Sequence, residues 1–244
     1  MNQTNKIKNW WEKRSGDYLK ENSVLEINYG PGVPNENKLK IIGNVMGKNI
    51  LDLGCGGGQA SVIFAKKGAK VIGIDLSKKQ VKFAKEFAEK NDVKVDFMQG
   101  NFQKLSTIKS NTQDLVFSSW SFLYSPDIKI LFKEVHRVLK KGGLFIFSQD
   151  HPFFHCFEHQ TLKINQSYFK SGRVKGINFI AFRRTISEIF DALREAGFNI
   201  ERIIEPQSSW KKPLQKKDKM VPTTINKYNV KMVPTTIIFK ARKF

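Results

Sequence analysis

The amino-acid sequence predicts an α/β fold, in which a parallel β-sheet is covered by helices. The first indication is the alternation of short apolar runs with amphipathic stretches between residues 48 and 205. The second is the position of Gly68, Gly142 and Gly197, each of which follows a predicted helix where a C-terminal cap belongs. The third is the length, because 244 residues with 40% hydrophobic residues suit one domain with an insertion. We therefore predict a single domain over residues 1–244.

The predicted core of this domain spans residues 48–205. Its strands are expected at Asn49–Leu53, Lys70–Ile74, Lys94–Met98, Asp114–Ser118, Gly143–Ser148 and Phe198–Ile204. Its helices are expected at Gln59–Lys67, Lys78–Lys90, Lys129–Leu139 and Thr185–Ala196, where apolar residues recur at helical spacing. Because strands and helices alternate, the strands are expected to run parallel to one another.

Three segments fall outside this alternation. Residues 1–47 are expected to form an N-terminal cover, in which an amphipathic lid helix over residues 1–22 precedes a stretch rich in Gly and Pro. Residues 149–183 form an insertion after the fifth strand that is dense in His, Phe and Tyr. We interpret it as a lid, because long insertions in compact folds are usually functional. Residues 206–244 are expected to form a basic loop and the last strand.

The basic tail contains a duplication. The heptapeptide Lys219–Ile225 recurs letter for letter at Lys231–Ile237, and only the second copy continues into an apolar stretch. We therefore place the last strand near residues 235–242 and the first copy in a hairpin loop.

Composition argues against several classes of protein. No apolar run approaches the ~20 residues of a membrane span, and the N-terminus lacks the apolar region of a secretion signal. Cys55 and Cys156 are too few for a disulfide framework, so we expect free thiols and a cytoplasmic protein without a membrane span. The formal net charge of +20 can signal nucleic-acid binding. Most of the basic residues are lysines scattered along the chain, which is typical of a solvated surface.

The clearest chemical signal is a glycine-rich turn at residues 54–58, between a predicted strand and a predicted helix. Glycines let backbone N–H groups at a helix N-terminus approach an anionic group without interference from a Cβ atom. Asp75 ends the following strand, where a carboxylate can accept hydrogen bonds from both hydroxyls of a ribose. The dinucleotide-binding pattern fits less well, because Gln59 and Ser61 stand where it needs Gly or Ala. An adenosine-containing cofactor is the expected ligand.

With these motifs the sequence resembles the class I S-adenosylmethionine-dependent methyltransferases, in the group that includes ubiquinone- and menaquinone-biosynthesis enzymes. Residues 51–58 (LDLGCGGG) look like the family's first motif, and Asp75 matches its ribose-binding acid. Asp114–Ser119 and Glu134–Gly143 are similar to its fourth strand and to the helix that leads into its fifth strand. The resemblance covers roughly residues 40–205. It implies a Rossmann-like, doubly wound sheet of about seven strands with an antiparallel last strand, and S-adenosylmethionine as the cofactor that leaves as S-adenosylhomocysteine.

The resemblance also indicates which residues bind the cofactor. We expect them to be Tyr18, Asp52, Gly54, Cys55, Gly56, Gly58, Gln59, Asp75, Leu76, Asn101, Phe102 and Ser118. Asn101 departs from the family pattern, which usually has an acid there, but its amide can still hydrogen-bond an adenine amino group.

The expected methyl acceptor is a small molecule. Residues 118–121 lack the patterns of enzymes that methylate DNA amino groups, arginine or catechols, and neither cysteine follows a proline as in cytosine-C5 enzymes. The acceptor is expected between the sheet and its cover, near Tyr29, Trp120, Tyr124 and Phe153. Two alternatives stay open: an RNA methyltransferase that uses the basic surface, and a cofactor-binding module without catalysis.

The insertion holds three of the four histidines, at positions 151, 155 and 159. On a helix they would share one face and could bind zinc. Pro152 and the neighbouring phenylalanines are equally consistent with a lid that packs on the substrate, and we predict no metal. His151 directly follows the fifth strand, and we take it as the candidate general base.

Overall fold

The computed structural model describes residues 3–21, 25–157, 163–173, 181–207 and 232–244, with only the backbone described for residues 17–21 and His155. These residues are arranged around a seven-stranded mixed sheet. Its strands are β1 (Asn49–Leu53), β2 (Lys70–Asp75), β3 (Asp96–Gln99), β4 (Gln113–Ser119), β5 (Leu139–Asp150), β8 (Phe198–Ile204) and β9 (Thr236–Lys243). Two short strands, β6 (Gly172–Arg173) and β7 (Phe182–Arg183), pair with each other outside this sheet.

The order of the strands confirms the predicted fold class. The sequence of neighbours is β3-β2-β1-β4-β5-β9-β8. Strands β1 to β5 pair in parallel, whereas β9 lies antiparallel between β5 and β8. The chain winds outward from β1 in one direction and from β4 in the other. The carboxyl ends of β1 and β4 therefore form a topological switch point, which is where open α/β sheets bind ligands.

Helices pack on both faces of the sheet. They are α1 (Gln3–Glu21), α2 (Glu36–Leu39), α3 (Gln59–Lys66), α4 (Lys78–Lys90), α5 (Ile128–Val138) and α6 (Ile186–Glu195). Residues of β1 and β4 alternate between the two faces, so Leu51 and Val116 pack with α5 and α6, whereas Ile50 and Phe117 pack with α3. The four predicted core helices are confirmed to within one residue at each end.

Side-chain caps explain where several helices begin. The hydroxyl of Ser77 accepts a hydrogen bond from the third residue of α4, and the carboxylate of Asp127 accepts two from the first turn of α5. Thr185 and Glu188 form a reciprocal capping box at the start of α6. Such caps satisfy backbone N–H groups that have no partner inside the helix.

Two strands differ from their predicted bounds. β5 begins at Leu139 rather than Gly143, because Leu139 pairs with Gln113 before an irregularity in the register between β4 and β5. β3 begins at Asp96 rather than Lys94, since its pairing with β2 starts there. The last strand is confirmed within one residue of its predicted position. The first copy of the duplicated heptapeptide lies outside the described residues.

The stretch after the lid helix is part of the core rather than a cover over it, and this corrects the prediction for residues 25–47. Ile27, Tyr29 and Ile42 are at most 6% exposed and pack against one face of the sheet. The buried carboxylate of Glu36 holds this stretch together, as it accepts hydrogen bonds from the Tyr29 hydroxyl and from the N–H groups of Ile41 and Ile42 at 2.6 to 3.0 Å. Glu36 also raises the pKa of Tyr29, in addition to the larger effect of burial.

Helix α1 is fixed to the N-terminus of α4. The carboxylate of Glu12 accepts hydrogen bonds from the N–H groups of Lys78 and Lys79 at 2.6 and 3.3 Å, and the hydroxyl groups of Ser15 and Ser77 lie 3.3 Å apart. A negative charge at a helix N-terminus is favourable, so this contact stabilises α1 in its position across the sheet edge. No helix within the described residues is long and apolar enough to cross a membrane. The cytoplasmic location stays a prediction.

Candidate active site

A cleft lies at the carboxyl ends of β1, β2 and β4, beneath α1. It encloses about 820 Å³ of space, part of it open to solvent. Eight residues predicted for the site line this cleft: Gly54, Gly56, Asp75, Leu76, Asn101, Phe102, Trp120 and Tyr124. They belong to loops that are distant in sequence, and the sheet brings them together because the carboxyl ends of parallel strands meet at one edge.

The glycine loop after β1 presents bare backbone to the cleft. Gly54, Gly56 and Gly58 have φ angles of 69°, 54° and 83°, a region in which residues with side chains are strained. A Cβ atom on Gly54 would also lie 2.3 Å from the Cβ atom of Ser121. The N–H groups of Gly54 and Cys55 donate to a carbonyl near the end of β2, which fixes the loop to the sheet.

Asp75 ends β2 and faces the cleft beside this loop. Its two carboxylate oxygens accept hydrogen bonds from the N–H groups of Gly56 and Ser77 at 3.0 and 2.8 Å. Burial raises the pKa of Asp75 to about 6, with a smaller contribution from the charge of Glu12, while the backbone hydrogen bonds oppose the rise. At neutral pH the side chain is therefore mostly a carboxylate, which has lone pairs left to accept the hydroxyls of a ribose.

Asp52 lies in β1 beneath the loop and does not line the cleft. It is 2% exposed and accepts a hydrogen bond from the Ser61 hydroxyl at 2.6 Å. Burial raises the pKa of Asp52 to about 7; the Ser61 hydrogen bond lowers it, and the charge of Asp75 raises it. Asp52 therefore supports the loop from below through Ser61, in the first turns of α3, rather than contacting a ligand directly.

We expect the substitution Asp52→Asn to stabilise the protein more at pH 8 than at pH 4. The pKa of Asp52 is about 7 in the folded protein and has an ordinary value of 3.8. The folded protein therefore binds the proton of this carboxyl group more tightly than the unfolded chain does. The bound proton makes its full contribution to the free energy of unfolding below pH 4. This contribution is lost as the pH rises towards 7, a change on the order of 4 kcal/mol. Asparagine keeps an oxygen for Ser61 and carries no charge. Urea unfolding of both proteins at both pH values measures the effect, and an equal difference at the two pH values would contradict it.

Gln80 is a cleft residue that sequence reasoning missed. It is 1% exposed, and neither its amide oxygen nor its amide nitrogen has a hydrogen-bond partner among the described residues. Buried polar groups are normally paired, so an orphaned amide that lines a cleft indicates the place of a polar ligand. The signal was present in the sequence, because Gln80 occupies a position on the apolar face of α4 one turn before Ala84.

Helix α1 forms the roof of the cleft. Thr4, Ile7 and Trp11 line it from above, and the ring of Trp11 meets the ring of Tyr124 edge to face at 5.6 Å. The sequence predicted this helix as a lid, but Tyr18 was the residue of the helix that was expected to contact the cofactor. Tyr18 lies in the part of α1 for which only the backbone is described, so that prediction falls outside the described side chains.

Trp120 forms part of the wall of the cleft. It is a non-glycine residue with a φ angle of +53°, and its N–H group donates to the carbonyl of Ser148. Residues held in this strained region cluster at functional sites. The indole packs so closely on Gly30 that a Cβ atom there would lie 2.0 Å from Nε1. This nitrogen is buried and has no hydrogen-bond partner within the part of the chain that the structure describes.

Four other predicted cofactor residues lie just outside the cleft. Cys55 is buried with Val62 and Phe97, and Gly58 caps the N-terminus of α3, of which Gln59 is the first residue. Ser118 is fully buried and donates to the carbonyl of Leu53, which ties β4 to the start of the glycine loop. These residues shape the loop and do not line the space it encloses.

Three predicted residues lie elsewhere. Tyr29 is in the core, and Phe153 belongs to the insertion. His151 is 3% exposed; its Nδ1 accepts from the N–H of Phe153 at 3.1 Å, and its Nε2 lies 2.7 Å from a carboxylate oxygen of Glu205. Because Nδ1 accepts, Nε2 carries the proton and donates to Glu205. None of the three lines the cleft. The general-base role of His151 stays a prediction.

No group of metal-ligating side chains that could hold an ion occurs among the described residues. The side chains of His155 and His159 lie outside them, so a zinc site in the insertion is not tested by this geometry. The prediction of no metal stays a prediction.

Comparisons with known proteins agree with this geometry. A family model described as a methyltransferase domain matches residues 51–147, which include the glycine loop, Asp75 and the wall of the cleft. An uncharacterized protein of Haemophilus influenzae is 31% identical over 191 residues, which cover 69% of this chain and 74% of that protein. The ubiquinone biosynthesis O-methyltransferase of Nitrosomonas europaea is 33% identical over 57% of this chain and 56% of that enzyme, so the chain spans about half its length.

Solved structures show the same relationship. The S-adenosylmethionine-dependent methyltransferase of Mesorhizobium loti superposes with a TM-score of 0.69 at 27% identity, over 84% of this chain and 95% of that one. Fold, glycine loop and acidic strand end therefore agree with the family match. The chain belongs to the class I S-adenosylmethionine-dependent methyltransferases, and S-adenosylmethionine is its cofactor.

Proposed function

We propose that this enzyme transfers the methyl group to a small molecule, which it binds in the same cleft as the cofactor. The single observation that carries the proposal is the enclosure of the cleft: α1 roofs it, and Trp120 and Tyr124 wall it. Aromatic and apolar walls with a few polar groups are typical of sites for small ligands. A nucleic-acid substrate would need basic side chains at the site for its phosphates, whereas Asp75 is the only charged residue among the described residues that line the cleft.

The residues of the cleft fit S-adenosylmethionine. Asp75 would accept the ribose hydroxyls, the glycine loop would approach the methionine end, and Asn101 would face the adenine amino group. Gln80, whose amide is buried and orphaned beside Asp75, would supply a further hydrogen bond. When bound, the cofactor would supply an activated methyl group on a sulfonium; a nucleophile that attacks the methyl carbon in line would release S-adenosylhomocysteine.

The remaining task of the protein is to align and desolvate the acceptor. Helix α1 excludes water from above, since Ile7 and Trp11 cover the space next to Tyr124. Trp120, held in a strained conformation between Gly30 and β5, gives the acceptor a rigid aromatic wall. Both contributions act through position rather than through proton transfer.

The charge pattern of the cleft limits the kind of acceptor. Among the described residues that line it, Asp75 alone carries a formal charge, and the ribose occupies that group in our proposal. We therefore infer an acceptor atom that is nucleophilic without a side-chain base, such as an ionised phenol or thiol, an amine or an electron-rich carbon. The Nitrosomonas europaea relative is named as an O-methyltransferase of ubiquinone biosynthesis, which agrees with a small acceptor.

Isotope transfer tests the proposal. The enzyme is incubated with a metabolite extract and an RNA fraction, together with cofactor that carries a deuterated methyl group. We expect products in the low-molecular-mass fraction that are 17 mass units heavier than their precursors, which is the replacement of one hydrogen by CD₃. At a cofactor concentration near the dissociation constant of the wild type, we expect the Asp75→Ala variant to form far less of them. Label that appears only in RNA and disappears with ribonuclease would overturn the proposal in favour of the RNA alternative.

A further inference from the structure

The insertion carries an exposed aromatic patch that the cleft does not use. We define it as Phe153, Phe157, Ile164, Tyr168 and Phe169. Ring contacts connect Phe153 with Phe157 at 4.8 Å, Phe153 with Tyr168 at 6.3 Å, and Tyr168 with Phe169 at 5.5 Å. Ile164 pairs with Phe157 through a β-bridge. The patch is therefore continuous.

The patch is apolar and faces solvent. Phe169 is 84% exposed and Ile164 is 70% exposed, while Phe153 is exposed to a lesser degree. Single exposed apolar residues are ordinary, whereas a connected group of them marks a surface that binds something. The two most exposed side chains project from residues 163–173, a short stretch on the outside of the domain.

The charged residues within the stretch 163–173 all have one sign. Residues 163–173 (KINQSYFKSGR) contain Lys163, Lys170 and Arg173, all exposed, and no acidic residue. Glu188 contacts this stretch through the hydroxyl of Ser171 and also takes part in the cap of α6. An apolar tip surrounded by basic side chains is complementary to an anionic lipid surface, where aromatic rings enter the headgroup region and basic groups meet lipid phosphates.

We propose that residues 163–173 dock this enzyme on the surface of an anionic lipid bilayer, with Ile164 and Phe169 inserted between the headgroups. The contact is peripheral and needs no spanning helix. The stretch is attached to the domain, because the hydroxyl of Tyr168 accepts a hydrogen bond from the first N–H of α6 at 2.9 Å. Further along the insertion, Ala181 packs with Leu123, Trp120 and Tyr124 at the wall of the cleft. A docked bilayer would therefore lie on the side of the domain where the acceptor is expected.

Sedimentation with vesicles tests this docking in the absence of cofactor and acceptor, so the result does not depend on the proposed function. The protein is mixed with vesicles of phosphatidylcholine alone or with added phosphatidylglycerol. We expect binding to the anionic vesicles, and a partition coefficient about tenfold lower for Phe169→Ser, because one buried aromatic side chain is lost. Lys170→Glu is expected to lower it about fivefold or more.

Matched variants separate insertion from the general attraction of a chain with a net charge of +20. Phe244→Ser removes a 70% exposed phenylalanine at the C-terminus, and Lys85→Glu reverses an exposed lysine on α4. Both controls are expected to bind like the wild type, and melting curves of all variants are expected to coincide. Equal binding by Phe169→Ser and Phe244→Ser would overturn the proposal. A change from dimer to monomer on Phe169→Ser without vesicles would also overturn it, because the patch would then be a contact between two copies of the chain.

Discussion

The Asp75→Ala variant is expected to bind S-adenosylmethionine about 10 to 100 times more weakly than the wild type. Asp75 is the charged acceptor at the end of β2, and it also holds the N–H of Gly56 in the glycine loop. Hydrogen bonds to a charged group contribute about 1.5–3 kcal/mol, and alanine removes the acceptor for the ribose and for the loop together. Isothermal titration calorimetry measures the dissociation constant of each protein directly.

The pH dependence of the same measurement provides a control. Because the pKa of Asp75 is about 6 without ligand, the wild-type affinity is expected to be constant above pH 7 and to fall below pH 6, as the proton removes acceptor capacity. Asp75→Asn keeps the size of the side chain and cannot titrate. Its affinity is expected to be low and independent of pH over this range. A wild-type affinity that does not change between pH 7 and pH 5 would contradict the role of the carboxylate.

The second large effect concerns stability rather than binding. Glu36→Ala is expected to lower the free energy of unfolding by about 3–5 kcal/mol. The carboxylate accepts hydrogen bonds from Tyr29, Ile41 and Ile42, all within the buried core, and the substitution leaves three donors without a partner. Each buried donor left unsatisfied costs about 1–3 kcal/mol, partly offset where the chain can relax. Urea unfolding followed by circular dichroism gives the difference.

Two further variants serve as controls for this prediction: a substitution of an exposed glutamate and a double variant. Glu89→Ala removes an exposed glutamate on α4 and is expected to change stability by less than about 0.5 kcal/mol. In the Tyr29→Phe background, Glu36→Ala is expected to cost less than in the wild type, since one of the three donors is already absent. If Glu36→Ala and Glu89→Ala unfold at the same urea concentration, the buried network contributes nothing.

The parts of the fold that the sequence predicts well are those that depend on local pattern. The core helices have an apolar face at helical spacing and a capping residue such as Ser77 or Asp127, and both signals are local. The glycine loop and Asp75 are also local, because a turn with positive φ angles needs glycine at fixed positions after a strand.

The parts that the sequence does not reveal depend on contacts distant along the chain. Tyr29 belongs to the core because Glu36 and Phe117 meet it there, and a stretch rich in Gly and Pro gives no sign of this. His151 follows a strand that ends near the cleft, yet its side chain pairs with Glu205 at the end of a different strand, a contact that the sequence pattern does not indicate. Gln80 was missed although its signal is local. It is a polar residue on the apolar face of α4, and only its apolar neighbours were used to predict that helix.

Hydrogen–deuterium exchange with and without S-adenosylmethionine tests most directly whether one cleft, roofed by α1, holds the cofactor. We expect slower exchange on binding in residues 54–58, 75–80 and 101–103, which include the residues at the floor of the cleft, and also in residues 3–14 of the roof. Protection of the roof together with the floor is the result that this geometry predicts. Protection confined to the insertion at residues 151–173, with no change in the glycine loop or α1, would contradict it.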